Sequence, residues 1–440
     1  MTAIFSTEAF NRFAAVLAQT EILPRPALQA YQTSLLQRLV SFAFKNSPFY
    51  AERLKPLFRD DGEPDFQYWK DIQILTRRDL ATEIDRINPV NIGGEVGGIT
   101  ARKTSGTTGA GLAFRTCDIA RFAAEVMMHR LYRWHGFDLQ SSLASIRYYS
   151  SGRRTYPEGV TEPSWCLTHP APHYTLDYRT GVPEMIEWLT RRRPKYLLTF
   201  PSISHDIAMT LAASGGAELG LQSIVGISEL VSADTAVAVG NTLGCNILRI
   251  YACAEMGCIA LQSEAEDEYE LCEETVLVEI LDKQNRPVAP GENGRVILTS
   301  LYNYATPFIR YEIGDYATLS ARPNASGRAL QKLHRVTGRF RNALVARDGS
   351  RVWDNAVITP RLWQQFPTHI FQIRQPDKET IDISYVPGSA ESSKPNKDIL
   401  VEHLAALLGG PIDLNIFAVD QLPRSNGGKR ERIVSAIAQL

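Results

Sequence analysis

Between about residues 195 and 260 the chain alternates short apolar runs with longer amphipathic ones, and this alternation limits the fold more than any other feature. YLLTF (196–200), SIVGI (223–227) and NILRIY (246–251) are too short for helices and apolar almost throughout, as strands buried on both faces are. SISHDIAMTLAAS (202–214) and ADTAVAVGNTLG (233–244) lie between them with helical spacing, the first read as starting on a serine cap. Strand, helix and strand at this spacing predict a parallel sheet.

The flanking sequence has a different texture. Leu28, Leu35, Leu36, Leu39, Val40 and Ala43 form one apolar stripe of a helix over 28–45, stopped by Asn46-Ser47-Pro48. A second helix is expected over Ala120–His135. TVLVEIL (275–281), GRVILTSL (294–301) and ATL (317–319) predict antiparallel strands joined to the α/β body. The last 100 residues or so read as a separate small α+β unit. LVARDGSRVW (344–353) is a hairpin candidate and HIFQIRQPDKETIDISYV (369–386) two strands. KDILVEHLAALLG (397–409) is a helix and LNIFAVD (414–420) a strand. The expected fold is therefore α/β, with a large N-terminal domain over 1–338 and a small mobile α+β domain over 339–440.

Composition excludes several classes. With 47 Lys+Arg against 48 Asp+Glu the net charge is −1, which argues against nucleic acid as a partner. No apolar run approaches the roughly 18–20 residues of a membrane span. The first residues, MTAIFSTEAFNRF, lack the basic and apolar regions of a signal peptide. Six cysteines without a CxxC pair fit free thiols in a reducing cytoplasm. No membrane partner is expected, and a homodimer is an open expectation.

Five stretches carry chemistry. TSGTTGAG (104–111) combines three glycines with four hydroxyls, a composition suited to polyphosphate oxygens or to an exposed loop. YACAEMG (251–257) puts Glu255 past the end of a strand, where a carboxylate holds Mg²⁺ or is simply solvated. TPFIRYEIGDYATL (306–319) sets Asp315 after Gly314 at a turn, able to accept from two sugar hydroxyls. TGRFRN (337–342) carries Arg339 and Arg341. LPRSNGGKRER (422–432) presents Lys429 on a Gly-Gly arm that in isolation reads as a solvated tail.

In their order and spacing these stretches resemble the adenylate-forming (AMP-binding) superfamily of acyl-CoA synthetases, adenylation domains and luciferases. TSGTTG matches its phosphate loop and YACAE its Tyr-Gly-x-[ST]-Glu motif. RYEIGD matches Arg-Tyr-Arg-Thr-Gly-Asp, GRFRN the hinge, and PRSNGGK the C-terminal Pro-Arg-x-x-x-Gly-Lys. SPFY (47–50) and DIQILTRRDL (71–80) make the chain most similar to the phenylacetate–CoA ligase branch, with its coenzyme F390 synthetase-like members.

The resemblance implies roles. Thr104, Ser105, Gly106, Thr107, Thr108 and Gly109 would cradle the ATP phosphates. Tyr251 and Ala252 would lie against the adenine near Gly226–Glu229, with Glu229 in the nucleotide site. Glu255 would bind Mg²⁺, Asp315 the ribose hydroxyls, and Arg339 ribose or phosphate. Lys429 would bridge the substrate carboxylate and the α-phosphate. Tyr148, Tyr149, Phe200 and Gly226 would line the acid pocket, the aromatics serving either that pocket or the core.

The implied activity is ATP-dependent adenylation of a carboxylic acid, aromatic or otherwise compact, followed by transfer to a thiol, CoA first. A carrier-protein thiol or an amine is the alternative acceptor, and a non-catalytic nucleotide-binding relative the third reading. The loop lacks the family's lysine, Ala110-Gly111 standing there, and the hinge is Arg341-Asn342 rather than acidic. RDGSRVWDNAV (347–357) departs from the stretch that helps form the CoA tunnel. Many relatives hold a structural zinc; the matching positions fall near Ser263, Glu270, Asn324 and Ser326, so no zinc is expected.

Overall fold

The parallel sheet is present in a computed structural model that describes residues 5–58, 62–104, 111–149, 152, 154–216, 218–339, 342–366, 368, 370–388, 394–425 and 427–437. The chain divides into two compact units. One comprises 1–140, 164–171 and 250–336, the other 141–163, 172–249 and 337–440.

In the second unit, strands Leu143–Arg147, His173–Asp177, Tyr196–Thr199 and Ser223–Gly226 and the start of Asn246–Cys253 run parallel. Tyr196–Thr199 lies between Leu143–Arg147 and Ser223–Gly226, with Leu197 opposite Ala144 and Ile224. Helices Val182–Arg192, Pro201–Ser214 and Ala233–Leu243 contribute Trp188, Ile203, Ile207 and Val239 to the core over the sheet. Burial from the helical layer explains why these strands read as unbroken apolar runs.

The expected serine cap is absent. The helix starts at Pro201 with Phe200 at the N-cap position and no side-chain cap bond. Proline suits a first helical position because its fixed φ is helical and its missing N–H would have had no partner there. The Ser202 N–H is instead taken by Glu229 Oε2 at 2.9 Å.

Residues 344–433 of the same unit have an apolar core of their own, including Leu344, Phe366, Phe371, Leu400, Leu404 and Ile433. Its sheet runs Asp413–Ala418, Thr380–Tyr385, Phe371–Gln375, Ile433–Ser435, with the helix Lys397–Leu408 supplying Leu400 and Leu404. The expected hairpin is there as Leu344–Val345 paired with Arg351–Val352. Ile433–Ser435, parallel to Phe371–Gln375, gave no signal in the sequence because three residues show no period. Lys429 therefore lies between the strands Asp413–Ala418 and Ile433–Ser435, not on a free tail.

The first unit holds the helices Arg25–Asn46 and Asp118–Trp134 and an antiparallel sheet. Val276–Leu281, Asn293–Ser300 and Tyr311–Leu319 follow one another in it. Buried Arg310 pins the last of these strands: it forms an ion pair with Glu279 at 3.0 Å and donates to the carbonyls of Trp69, Lys70 and Ile72.

The four positions aligned with a zinc site do converge here, as a hydrogen-bonded cluster. Ser263 and Asn324 donate to the Glu270 carboxylate at 2.7 and 3.0 Å, and Ser326 donates to Asn324 at 2.7 Å. Arg328 closes on Glu270 at 2.7 and 2.8 Å. Burial opposes ionisation of Glu270, but the hydrogen bonds of Arg328, Asn324 and Ser263 outweigh it and lower its carboxyl. A guanidinium bound to the only carboxylate of the four does not fit a zinc site.

Candidate active site

Thr104, Tyr251, Ala252, Glu255 and Asp315 belong to the first unit; Tyr148, Tyr149, Phe200, Gly226, Glu229, Arg339 and Lys429 belong to the second. Ser105, Gly106, Thr107, Thr108 and Gly109 lie outside the described residues, as does Arg341.

In the first unit, strands Ile99–Lys103 and Ala113–Cys117 pair antiparallel, and the glycine- and threonine-rich segment lies between them in sequence. Thr104 bonds to Leu112 across the pair: its N–H donates to Leu112 O and its hydroxyl accepts from Leu112 N, both at 2.9 Å. A side chain on Gly111 would overlap Thr104 O, so glycine is required at this neck.

Tyr251 and Asp315 meet. The tyrosine hydroxyl donates to Asp315 Oδ2 at 2.8 Å. Asp315 is not at a turn before a strand, as its sequence context implies, but inside Tyr311–Leu319. Arg295 faces Tyr316 and Ile297 faces Glu312, so three residues, 313–315, stand against Val296 alone. Gly314, at φ 87°, permits this bulge, which re-aims Asp315.

Glu255 lies in the turn between Asn246–Cys253 and Gly257–Gln262, and Ala252 is exposed just before it. The turn is tightly seated: Gly257 has φ 75°, and a Cβ there would come within 2.7 Å of Ala124 Cβ. Glu255 lines a pocket of about 200 Å³ with Arg102, Arg121, Met256, Thr275 and Tyr302. Arg102 comes from the strand Ile99–Lys103 and Arg121 from the first turn of the Asp118–Trp134 helix. Neither arginine was singled out in the sequence, because nothing local links 102, 121 and 255. Burial, then the Glu255 carboxylate, pushes the Cys253 thiol well above its ordinary range, so it is no thiolate nucleophile.

Among the described residues no group of three His, Cys, Asp or Glu side chains could hold a metal ion. This does not disqualify Mg²⁺, which takes one or two carboxylates and completes its shell with phosphate oxygens and water. Glu255, in a pocket rimmed by two guanidinium groups, fits that arrangement.

In the second unit, Phe200 is 3% exposed and meets Tyr178 edge-on at 6.1 Å, while Tyr148 is 46% exposed and 6.3 Å from Tyr178. Tyr149 has Arg154 and Arg147 over its ring at 4.3 and 5.1 Å. Phe200 is thus core that presents an edge, and Tyr178, absent from the sequence-derived set, joins it to Tyr148. A Cβ on Gly226 would press on Pro201 and Val231 at 3.1 Å, so this position allows no bulk.

The Lys429 arm rests on those aromatics. Gly428 has φ 86°, and a Cβ there would stand 3.1 Å from both Phe200 and Tyr178. Ser425 and Lys429 form a turn, Ser425 N donating to Lys429 O at 2.8 Å and Lys429 N to Ser425 Oγ at 3.2 Å. Glu229 follows Ser228, a non-glycine at φ 68°, and accepts from Ser202 N, Ser202 Oγ and Arg430 N at 2.9, 3.1 and 2.6 Å. Its carboxylate therefore joins the Pro201–Ser214 helix start to the residue after Lys429. Arg339 ends the strand Lys332–Arg339, next to Gly338, whose Cβ would stand 3.2 Å from Leu230. This puts Arg339 beside the 226–230 segment.

No family model matches the chain. A phenylacetate–coenzyme A ligase of Thermus thermophilus is 23% identical over 466 residues, covering 94% of this chain and 98% of that protein. A solved 2-hydroxyisobutyryl-CoA ligase, in its postadenylation state with an acyl-AMP, superposes with a TM-score of 0.77 at 15% identity, covering 96% of this chain and 92% of that one. An amide bond synthetase of Marinactinospora thermotolerans superposes with a TM-score of 0.52 at 14% identity, covering 76% and 67%. The order of the five motifs, this fold and this full-length similarity make the chain similar to the phenylacetate–coenzyme A ligases, and its fold is that of the adenylate-forming ligases.

Proposed function

We propose that the chain is an ATP-dependent acid–CoA ligase. The substrate carboxylate attacks the α-phosphorus of ATP and pyrophosphate leaves. The CoA thiol then attacks the acyl-adenylate carbonyl, and AMP leaves. The observation that carries this reading is the Tyr251–Asp315 hydrogen bond, which unites two of the motifs around one carboxylate suited to a ribose diol.

The residues take these parts. Thr104–Gly109 hold the phosphates. Arg102 and Arg121, beside Glu255, draw the charge of the leaving pyrophosphate and supply the cationic groups that the loop, lacking its lysine, does not. Glu255 holds Mg²⁺, which neutralises phosphate charge when bound. Lys429, in the mobile 339–440 domain, offsets the charge between carboxylate and α-phosphate, then leaves so that the thiol can enter. The acid is aromatic or compact, its ring against Tyr148, Tyr178 and the edge of Phe200.

Six free thiols fit a reducing compartment such as the cytoplasm, and no helix among the described residues is long and apolar enough to cross a membrane. The departing stretch 347–357 supports a second reading, in which an amine or a carrier thiol accepts the acyl group. The test is acid-dependent ATP–pyrophosphate exchange across a panel of carboxylic acids, followed by thioester detection with CoA. Exchange with thioester supports the ligase, exchange without it the second reading, and no exchange with any acid removes both.

A further inference from the structure

The loop that carries Lys429 is held by charge on both sides of the lysine. Arg424 Nη2 and Arg430 Nη1 pair with Asp206 at 3.0 and 2.9 Å, and Arg432 grips both oxygens of Asp234 at 2.7 Å. Asp206 lies in the Pro201–Ser214 helix and Asp234 in the first turn of Ala233–Leu243. Asp234 is almost completely buried, and the Asp206 and Arg430 side chains nearly so.

These pairs, with Glu229 on the Arg430 N–H and His205 Nε2 3.3 Å from Thr368 O, link two parts that have separate apolar cores. The apolar core of residues 344–433 and the core over the parallel sheet share no residue. The α+β part therefore keeps its own core whether or not the pairs form. The pairs fix one thing, the seat of the loop on which Gly428 rests against Phe200 and Tyr178.

We propose that Asp206 and Asp234, with Arg424, Arg430 and Arg432, form a charged latch that positions Lys429 for adenylate formation and must open before acyl transfer. Asp206 and Asp234 are positioning residues, since neither touches the reacting atoms. The proposal rests on the ligase reading, in which Lys429 serves only the first half-reaction. Charge-assisted, two-pronged pairs give a defined geometry when closed. Being largely buried, they are screened by salt much less than exposed pairs.

The experiment compares wild type with Asp206→Asn, Asp234→Asn and the conservative Asp206→Glu. It reads acid-dependent pyrophosphate exchange, transfer from a supplied acyl-adenylate to CoA, the urea midpoint, and hydrogen exchange of residues 424–432. Exchange activity falls roughly 10- to 100-fold in both Asn variants, as a kcat effect with the KM for ATP unchanged, the scale for a misplaced catalytic group. Transfer holds or rises, Asp206→Glu recovers most of the loss, and hydrogen exchange of 424–432 speeds up. Unchanged pyrophosphate exchange in both Asn variants overturns the latch. So does an equal fall of both half-reactions together with the urea midpoint. If the wild type shows no pyrophosphate exchange with any acid, the ligase reading fails separately. Hydrogen exchange of 424–432 then decides the latch: faster in the Asn variants keeps it, unchanged removes it.

Discussion

The hydroxyl of Tyr251 donates to Asp315 at 2.8 Å, joining residues 64 positions apart. A hydroxyl bonded to one carboxylate oxygen fixes the direction in which the carboxylate points.

Tyr251→Phe should therefore raise the KM for ATP by about 3- to 10-fold, the scale of one ordinary net hydrogen bond. Asp315→Ala should raise it further and discriminate less than wild type against 2′-deoxy-ATP. Steady-state kinetics with both nucleotides check this; equal discrimination by the two proteins would remove Asp315 from the ribose.

The pocket with Glu255 predicts a division of labour. Glu255→Gln should weaken exchange activity mainly at limiting Mg²⁺, with a near-normal urea midpoint. Arg102→Gln and Arg121→Gln should instead weaken inhibition by pyrophosphate at saturating Mg²⁺, by roughly tenfold each for a lost charge-assisted contact. Product-inhibition measurements separate the two.

Lys429→Ala should suppress acyl-adenylate formation by roughly two to three orders of magnitude, the scale of one preorganised donor. Transfer from a chemically supplied acyl-adenylate should change far less. Gly428→Ala should act in the same direction, since φ 86° and the 3.1 Å approach to Phe200 and Tyr178 leave its methyl no relaxed position. An equal loss in both half-reactions for Lys429→Ala would remove the role.

Acid should destabilise the fold before its carboxylates titrate. Burial pushes both His129 and His205 down to about 4. His129 sits among Phe10, Tyr132 and Trp165, and neither of its ring nitrogens finds a hydrogen-bond partner among the described residues. Because the folded value lies below the ordinary 6.5, the unfolded chain binds the proton first. Stability is complete above 6.5 and falls as the pH drops toward 4, by about 2 kcal/mol per histidine at pH 5. His129→Phe should remove its share of the slope in urea midpoints measured at pH 7 and 5. Asp234 acts lower: burial opposes its ionisation, Arg432 outweighs that and holds it at about 2, and its contribution is lost between about pH 4 and 2.

The alternation of 196–251 determined the parallel strands, and the antiparallel texture after 275 determined the antiparallel ones, because both are written in local periodicity. The order of TSGTTG, YACAE, RYEIGD and PRSNGGK likewise carried the resemblance to the adenylate-forming superfamily, since each motif is a short run of sequence. Pairings across the chain were decided by tertiary structure alone. Nothing near Asp315 names Tyr251, and nothing near Lys429 names Asp206, Asp234 or Glu229. The bulge that aims Asp315, the short strand Ile433–Ser435 that follows the lysine loop, and Tyr178 beneath Gly428 share this origin. Periodicity reports which face of an element is buried. Which charge meets which depends on how elements far apart in sequence pack, and no local pattern encodes that distance.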